Sequence, residues 1–348
     1  MNLTKCSLYL TLIFFTVLFT NCGKDKNIPN VDEITVETEF RRFEQDFFSI
    51  DTARIETETA ALKKKYPNFS DIFFNQILKT NDPRYAPEGE LEYLKGFITH
   101  PAVTKLYDTV QVLYNDPKNV KGHFEQAFKF YKYYFPTDRT PTVTTFISEY
   151  SVAAFIYGDN DLAVGLDFFL GDDYPYQQYN PQNDAFSQYL TRTFNEKYLV
   201  AKAIKTLVED KAGRLQGNRL LDFMIHNGKQ LYFQEKILPY TSDSIILEQP
   251  AAKVTWLKEN EYEIYAYLLD RELLYSTDYR DFNKLINPSP VGNTDMPPSA
   301  PGQTANYIGL QIIRSYMARN PEITLPELMQ KTDAQEILDK AKYKPKRR

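Results

Sequence analysis

The sequence predicts an α+β fold, predominantly helical, with a small central sheet. Three observations carry this: apolar residues at helical spacing through 40–135, two short β-branched or apolar runs at 141–147 and 162–167, and renewed helical periodicity from 185 onward. Phe40, Phe43 and Phe47 fall on one helical face, and Asp51-Thr52 reads as the cap of a following helix that carries Leu62 and ends by Pro67. Further helices are expected at 72–79, 89–97, 101–115 and 120–135, the last stopped by Pro136. Pro141-Thr142-Val143-Thr144-Thr145-Phe146-Ile147 and Leu162-Ala163-Val164-Gly165-Leu166-Asp167 are bounded by the turn residues Gly158-Asp159-Asn160-Asp161 and Gly171-Asp172-Asp173, and read as neighbouring strands. Helices then resume at 185–210, 217–233, 252–269, 304–319 and 325–342. Residues 287–303, with five prolines, read as an irregular loop, which serves either a function or a surface crossover. No internal repeat or linker divides the body, so 34–348 is expected to be a single domain.

The amino terminus has the pattern of a targeting segment. Lys5 supplies a positive charge, residues 8–20 form an uncharged apolar run, and Asn21-Cys22 ends it. A bilayer span needs about 20 apolar residues, and here the polar Gly23-Lys24-Asp25-Lys26 follows at once. The expectation is a lipoprotein signal over 1–21, cleavage before a lipidated Cys22, and a tether over 22–33. Phe19 and Asn21 depart from the strict Leu-Ala-Gly-Cys form. The other cysteine, Cys6, lies in the discarded segment, so no intrachain disulfide and no free thiol would remain. No acidic residue directly follows Cys22, which favours the periplasmic face of the outer membrane over the inner membrane.

A formal net charge of −5 gives no basic footprint for nucleic acid, and 26 Tyr with 24 Phe mark a folded body. The three histidines, His100, His123 and His226, include no pair at the i, i+4 spacing that lets two imidazoles share a zinc ion. There is no Gly-x-Ser-x-Gly elbow, and the glycines at 165 and 171 lack the Lys-Ser/Thr of a phosphate loop. Asp167, Asp172 and Asp173, with Asp159 and Asp161, are the candidate hard-oxygen ligands for a cation, although the EF-hand spacing is missing; the alternative is turn formation by Asx side chains. Tyr174, Tyr176 and Tyr179 offer aromatic faces on which a glycan could stack, or else they pack the loop. The basic end, Lys340 to Arg348, reads as a solvated tail or as a contact for an acidic surface. No cofactor is implied.

Several segments in order carry a resemblance: Phe43-Glu44-Gln45-Asp46-Phe47-Phe48, Lys132-Tyr133-Tyr134-Phe135-Pro136, Gly165-Leu166-Asp167-Phe168-Phe169-Leu170-Gly171, Leu220-Leu221-Asp222-Phe223-Met224-Ile225 into Gly228-Lys229, and Lys342-Tyr343-Lys344-Pro345. From about Phe40 to the C-terminus the chain resembles the GldB gliding-motility lipoproteins of the Bacteroidetes. The resemblance implies a lipid-anchored envelope component of surface gliding, in contact with gliding or secretion machinery linked to type IX secretion. It implies no known reaction. The family is similar in outline to zinc peptidases in which a His-Glu-x-x-His helix precedes a Glu-Gly-x-Ala helix. The corresponding stretches here are 194–199 and 226–230, in which Glu196 alone survives, and Asn195, Leu199 and Asn227 replace the ligands. That describes a degenerate peptidase-like scaffold, with Glu196 as its one catalytic candidate. Three functional readings follow: a non-catalytic contact protein, an envelope hydrolase with an unfamiliar site, and a glycan-binding module.

Overall fold

The computed structural model describes residues 28–179 and 181–347, so the expected targeting segment over 1–21 and the expected lipidation at Cys22 lie outside the described residues. Residues Val31–Arg348 form one compact unit built around a four-stranded sheet. The two runs expected to be strands appear as β2 (Val143–Phe146) and β4 (Asp161–Gly165), paired in parallel with Val143 opposite Leu162. On the outer side of β2 lies β1 (Phe40–Arg42), also parallel, and on the outer side of β4 lies β3 (Ala154–Tyr157), antiparallel. β2 is buried at every position, as expected of a strand covered on both faces. Gly165 ends β4 where a side chain has no room: a Cβ there would lie 2.4 Å from the Val152 carbonyl oxygen.

β1 is a departure from the expected helix, whose face was to include Phe40. Three residues pair with β2, and helix α1 (Phe43–Phe48) starts only at Phe43. The switch is fixed by a buried polar knot. Glu44, 1% exposed, accepts from Thr145 Oγ1 at 2.7 Å and pairs with Arg42, whose Nη1 donates to the Tyr114 carbonyl at 2.8 Å. Burial pushes the Glu44 carboxyl up, against the pull of Arg42 and Thr145.

The remaining helices of the first half are α2 (Ile55–Lys65), α3 (Pro67–Ile72), α4 (Glu90–Thr99), α5 (Pro101–Leu113) and α6 (Lys118–Tyr134). Asp51 caps the turn before α2 as expected, accepting from the Ala53 N–H at 2.9 Å. Beyond α3 the chain widens into a π turn over Phe73–Ile77, closed by the Leu78 N–H on the Phe73 carbonyl at 2.9 Å. That turn sets Phe73 and Phe74 against Phe43, Phe47, Phe69 and Phe146. The Phe43 ring meets Phe69 at 4.7 Å and Phe73 at 4.8 Å, both edge-on at 65°, which aligns positive ring edges with negative faces.

The second half contains α7 (Tyr176–Tyr179), α8 (Gln188–Thr191), α9 (Glu196–Ala212), α10 (Leu220–Ile237), α11 (Asp243–Ile246), α12 (Ala251–Glu259), α13 (Glu261–Asp270), α14 (Tyr279–Ile286), α15 (Thr304–Arg319), α16 (Leu325–Gln330) and α17 (Ala334–Ala341). Three expected helices are broken at polar caps. Asn195 starts α9, Asn260 stands between α12 and α13, and Asp333 starts α17. Helix α14 was not anticipated; Asp278 caps it by accepting from the Arg280 N–H at 3.0 Å. The 287–303 loop is pinned by backbone bonds, Gly292 N–H to Ala300 O at 2.8 Å and Gly302 N–H to Ser289 O at 3.1 Å.

Helices α10 and α15 cross at glycine. A Cβ on Gly309 would stand 1.9 Å from the Met224 carbonyl oxygen, and one on Gly228 would stand 2.4 Å from the Gly309 carbonyl carbon. Ordinary crossings keep helix axes 8–10 Å apart because side chains fill the gap; two glycines remove that filler. Gly309→Ala is therefore expected to cost about 3 kcal/mol or to prevent folding, measured as the urea midpoint by circular dichroism. Gly96→Ala, on α4 where a Cβ meets nothing within 4 Å, should be neutral or mildly stabilising.

Candidate functional site

The acidic candidates do not gather. Asp167 is fully buried just after β4, and its Oδ2 accepts the N–H groups of Ser148 at 3.0 Å and Tyr150 at 2.7 Å. Glu149 (φ 51°) and Tyr150 (φ 62°) are both left-handed, in the turn whose Ser148 and Tyr150 N–H groups meet on that oxygen. Burial pushes the Asp167 carboxyl up to about 6, against those two bonds, and its Oδ1 has no partner among the described residues. Asp172 is exposed and accepts from Asn195 Nδ2 at 2.7 Å, and Asp173 is exposed in a shallow groove beside Tyr174 and Pro175. Asp161 is held by Arg139 and by the Thr142 N–H, each at 2.7 Å. Among the described residues no three His, Cys, Asp or Glu side chains form a group able to hold a metal ion.

Tyr176 is 2% exposed and its hydroxyl accepts from the Leu170 N–H at 2.8 Å, so its ring packs the loop. Tyr174 and Tyr179 stack at 5.7 Å with planes 3° apart, and Tyr174 bridges the hydroxyls of Tyr150 and Tyr179. Tyr179, 51% exposed, is the most open of the three, although its ring stacks on Tyr174 and lies 4.8 Å from Tyr150.

The peptidase-like positions are dispersed. Asn195 is the cap of α9, accepting from the Lys197 N–H at 3.1 Å while donating to Asp172 and to the Arg192 carbonyl. Glu196, the first residue of α9, accepts a long 3.4 Å bond from Asn119. It lines a cleft of about 630 Å³ with His123, Lys197 and the exposed Tyr240. Leu199 is buried in the core. His226 sits on α10, where burial and then Lys229 hold its imidazole below the usual range. Asn227 lines a different cavity.

That second cavity, about 240 Å³, lies between α9, α10, the start of α15 and the loop after α11. Asn227 donates to Asn306 Oδ1 at 2.8 Å across the α10–α15 crossing, and Asn306 donates to the Ile286 carbonyl at 2.8 Å. On the α9 side Lys202 and Lys205 each reach Glu248 at 3.1 Å. Burial alone would raise the Glu248 carboxyl, but Lys205 and Lys202 outweigh it and bring it down to about 2. Glu248 (φ 49°) and Gln303 (φ 60°) are left-handed without being glycine, and both line this cavity. Such strain costs on the order of 1–3 kcal/mol each and persists only where surrounding contacts enforce it. Sequence reasoning missed this site because its parts come from six separate segments and no two share a motif; only Asn227 and the 287–303 loop had been singled out.

The family model described as gliding motility protein GldB matches residues 24–345. The chain belongs to the GldB gliding motility family. No curated protein and no solved structure matches it. The GldB signature segments now have places. Phe43 and Phe47 seed the aromatic core, Gly165 fits under Val152 O, and Gly228 makes the helix crossing. Tyr343 donates to Glu261 Oε1 at 2.9 Å and so fastens the chain end to α13. No helix of the described residues is long and apolar enough to cross a membrane.

The depressed Glu248 carboxyl carries a pH signature. Its folded value lies below that of an ordinary glutamate, so the stabilisation is present above the ordinary value and is lost as pH falls toward 2. Glu248→Gln should cost about 1–2 kcal/mol at pH 7, discounted for partial exposure. In urea titrations the gap from wild type should shrink by more than half at pH 3.

Proposed function

We propose that the chain is a lipoprotein anchored through Cys22 at the periplasmic face of the outer membrane, serving gliding by protein contact in machinery linked to type IX secretion. The dispersal of Asn195, Glu196 and Asn227 over a helix cap and two cavities supports this reading, because general acid–base work needs its groups within reach of one reacting atom. Surface chemistry points the same way. Val112 is 74% and Leu113 48% exposed along a groove with Leu170 and Pro175, and Tyr240 is 72% exposed at the rim of the larger cleft. Exposed apolar and aromatic side chains are the material of contact surfaces.

The second reading is a hydrolase, favoured by one observation: His123 and Glu196 line the same cleft. Complementation of a clean deletion separates the two. Glu196→Gln should restore spreading on agar to the wild-type rate, whereas Cys22→Ser should leave the protein in the soluble fraction and spreading absent. Stable Glu196→Gln protein with spreading lost overturns the contact reading in favour of the hydrolase.

A further inference from the structure

The smaller cavity has an unusual lining. Seven of its side chains are carboxamides, three of them, Asn227, Gln230 and Gln234, in a row along α10. Each amide nitrogen has one bond inside the protein: Asn227 to Asn306, Gln230 to the His226 ring at 3.0 Å, Gln234 to the Ala201 carbonyl at 3.5 Å. Across the cavity Gln249 donates to Gln303 Oε1 at 3.2 Å, which leaves Gln303 Nε2 without a partner among the described residues. The lining thus holds three carboxamide oxygens on α10, none bonded by a described residue, and an amide donor on the segment that starts α15. From Asn227 to Gln234 the helix rises about 10 Å. An extended chain covers that distance in about three residues, presenting N–H and C=O groups in alternation.

The charges at the wall are of both signs. Lys205 and Lys202 are committed to Glu248, and Glu209 stands one turn beyond Lys205. Neither a strong anion nor a strong cation gains from such a wall. The aromatic residue of the lining, Tyr307, is 4% exposed with its hydroxyl 3.2 Å from Glu261, and presents no open ring face for a sugar. The two left-handed residues, Glu248 and Gln303, belong to neighbouring segments of the lining, joined by the Gln249 amide, which donates to Gln303 Oε1 and to the Gly302 carbonyl.

We propose that this cavity binds an extended, uncharged peptide segment of a partner protein through its main chain, with the carboxamide oxygens of Asn227, Gln230 and Gln234 accepting peptide N–H groups and Gln303 donating to a peptide carbonyl. The proposal rests on the contact reading above and names the kind of segment contacted. The probe is N-acetyl-Gly-Ser-Gly-amide, presented to the full-length protein in detergent and read by saturation-transfer NMR. Transfer should fall at least fivefold for the main-chain N-methylated analogue and for Gln230→Trp, which fills the cavity. Gln303→Gly removes the donor at a backbone conformation that glycine favours; it should remain folded by circular dichroism and lose binding several-fold. Equal transfer to the N-methylated peptide, equal transfer in a folded variant, or transfer to N-acetylglucosamine in preference to the peptide overturns the proposal. None of these three results touches the contact reading, which falls only with stable, non-spreading Glu196→Gln protein.

Discussion

The close approach of α10 to α15 at Gly228 and Gly309 is the constraint on which the second half of the molecule depends. With backbone touching backbone, the two helices act as one rigid strut, and the elements around it are fastened to one or the other. Arg314 pairs with Glu235 across the strut, Ser315 Oγ donates to the Ala341 carbonyl at 2.7 Å, and Tyr307 reaches Glu261. Lys229, one residue past the crossing and 4% exposed, donates to the Met329 and Lys331 carbonyls at 3.2 and 2.6 Å, so it closes the C-terminal end of α16. Burial lowers its ammonium to about 8, a penalty tolerated because those carbonyls would otherwise be buried without donors. The cavity beside the strut inherits its rigidity: Asn227 and Asn306 hold their positions because the helices that bear them cannot slide apart.

The first half is organised on different physics. Here the sheet and the phenylalanine cluster share residues, since Phe146 on β2 packs on Phe69 and Phe73. Directional ring contacts reward one arrangement over its neighbours, and the π turn at Phe73–Ile77 is the local distortion that lets two consecutive phenylalanines enter the same core. The buried Arg42–Glu44–Thr145 knot adds a polar register mark beside an apolar core, and fixes which residue of β1 meets which of β2.

Much of this architecture was legible in the sequence because it rests on local signals. Apolar spacing and proline stops, with one cap at Asp51, located most helices, and β-branched runs between turns located β2 and β4. What was not legible depended on distant partners. Phe40 carries the same helical spacing as Phe43 and Phe47, but a backbone partner a hundred residues away makes it a strand. A run such as 185–210 reads as one helix until Asn195 and Asp172 meet and the cap forms. The acidic turn drew attention as a ligand cluster because nearness in sequence implies nearness in space; the fold sends Asp167 inward, and Asp172 to a helix cap. Of the cavity's carboxamides only Asn227 attracted any, because Asn and Gln are common and neutral, and only their convergence from four segments distinguishes them. Gly228 could be read as one letter of a segment, but its meaning as a site of backbone contact needed the crossing itself.

The parallel pairing of β1 with β2 also orders events in time. β1 is the first strand a ribosome makes, yet the residues that complete its polar knot, Glu44 and Thr145, are 101 positions apart. Until β2 follows, Phe43 and Phe47 have no sheet to pack on, and the unpaired backbone of β1 is an open edge. Closing so long a loop is slow relative to forming the helices between, so α2 to α6 collapse first and β1 docks late. The β1 segment is therefore the last of the amino-terminal half to become fixed, and premature capture of that edge by another chain is the misfolding route this topology leaves open.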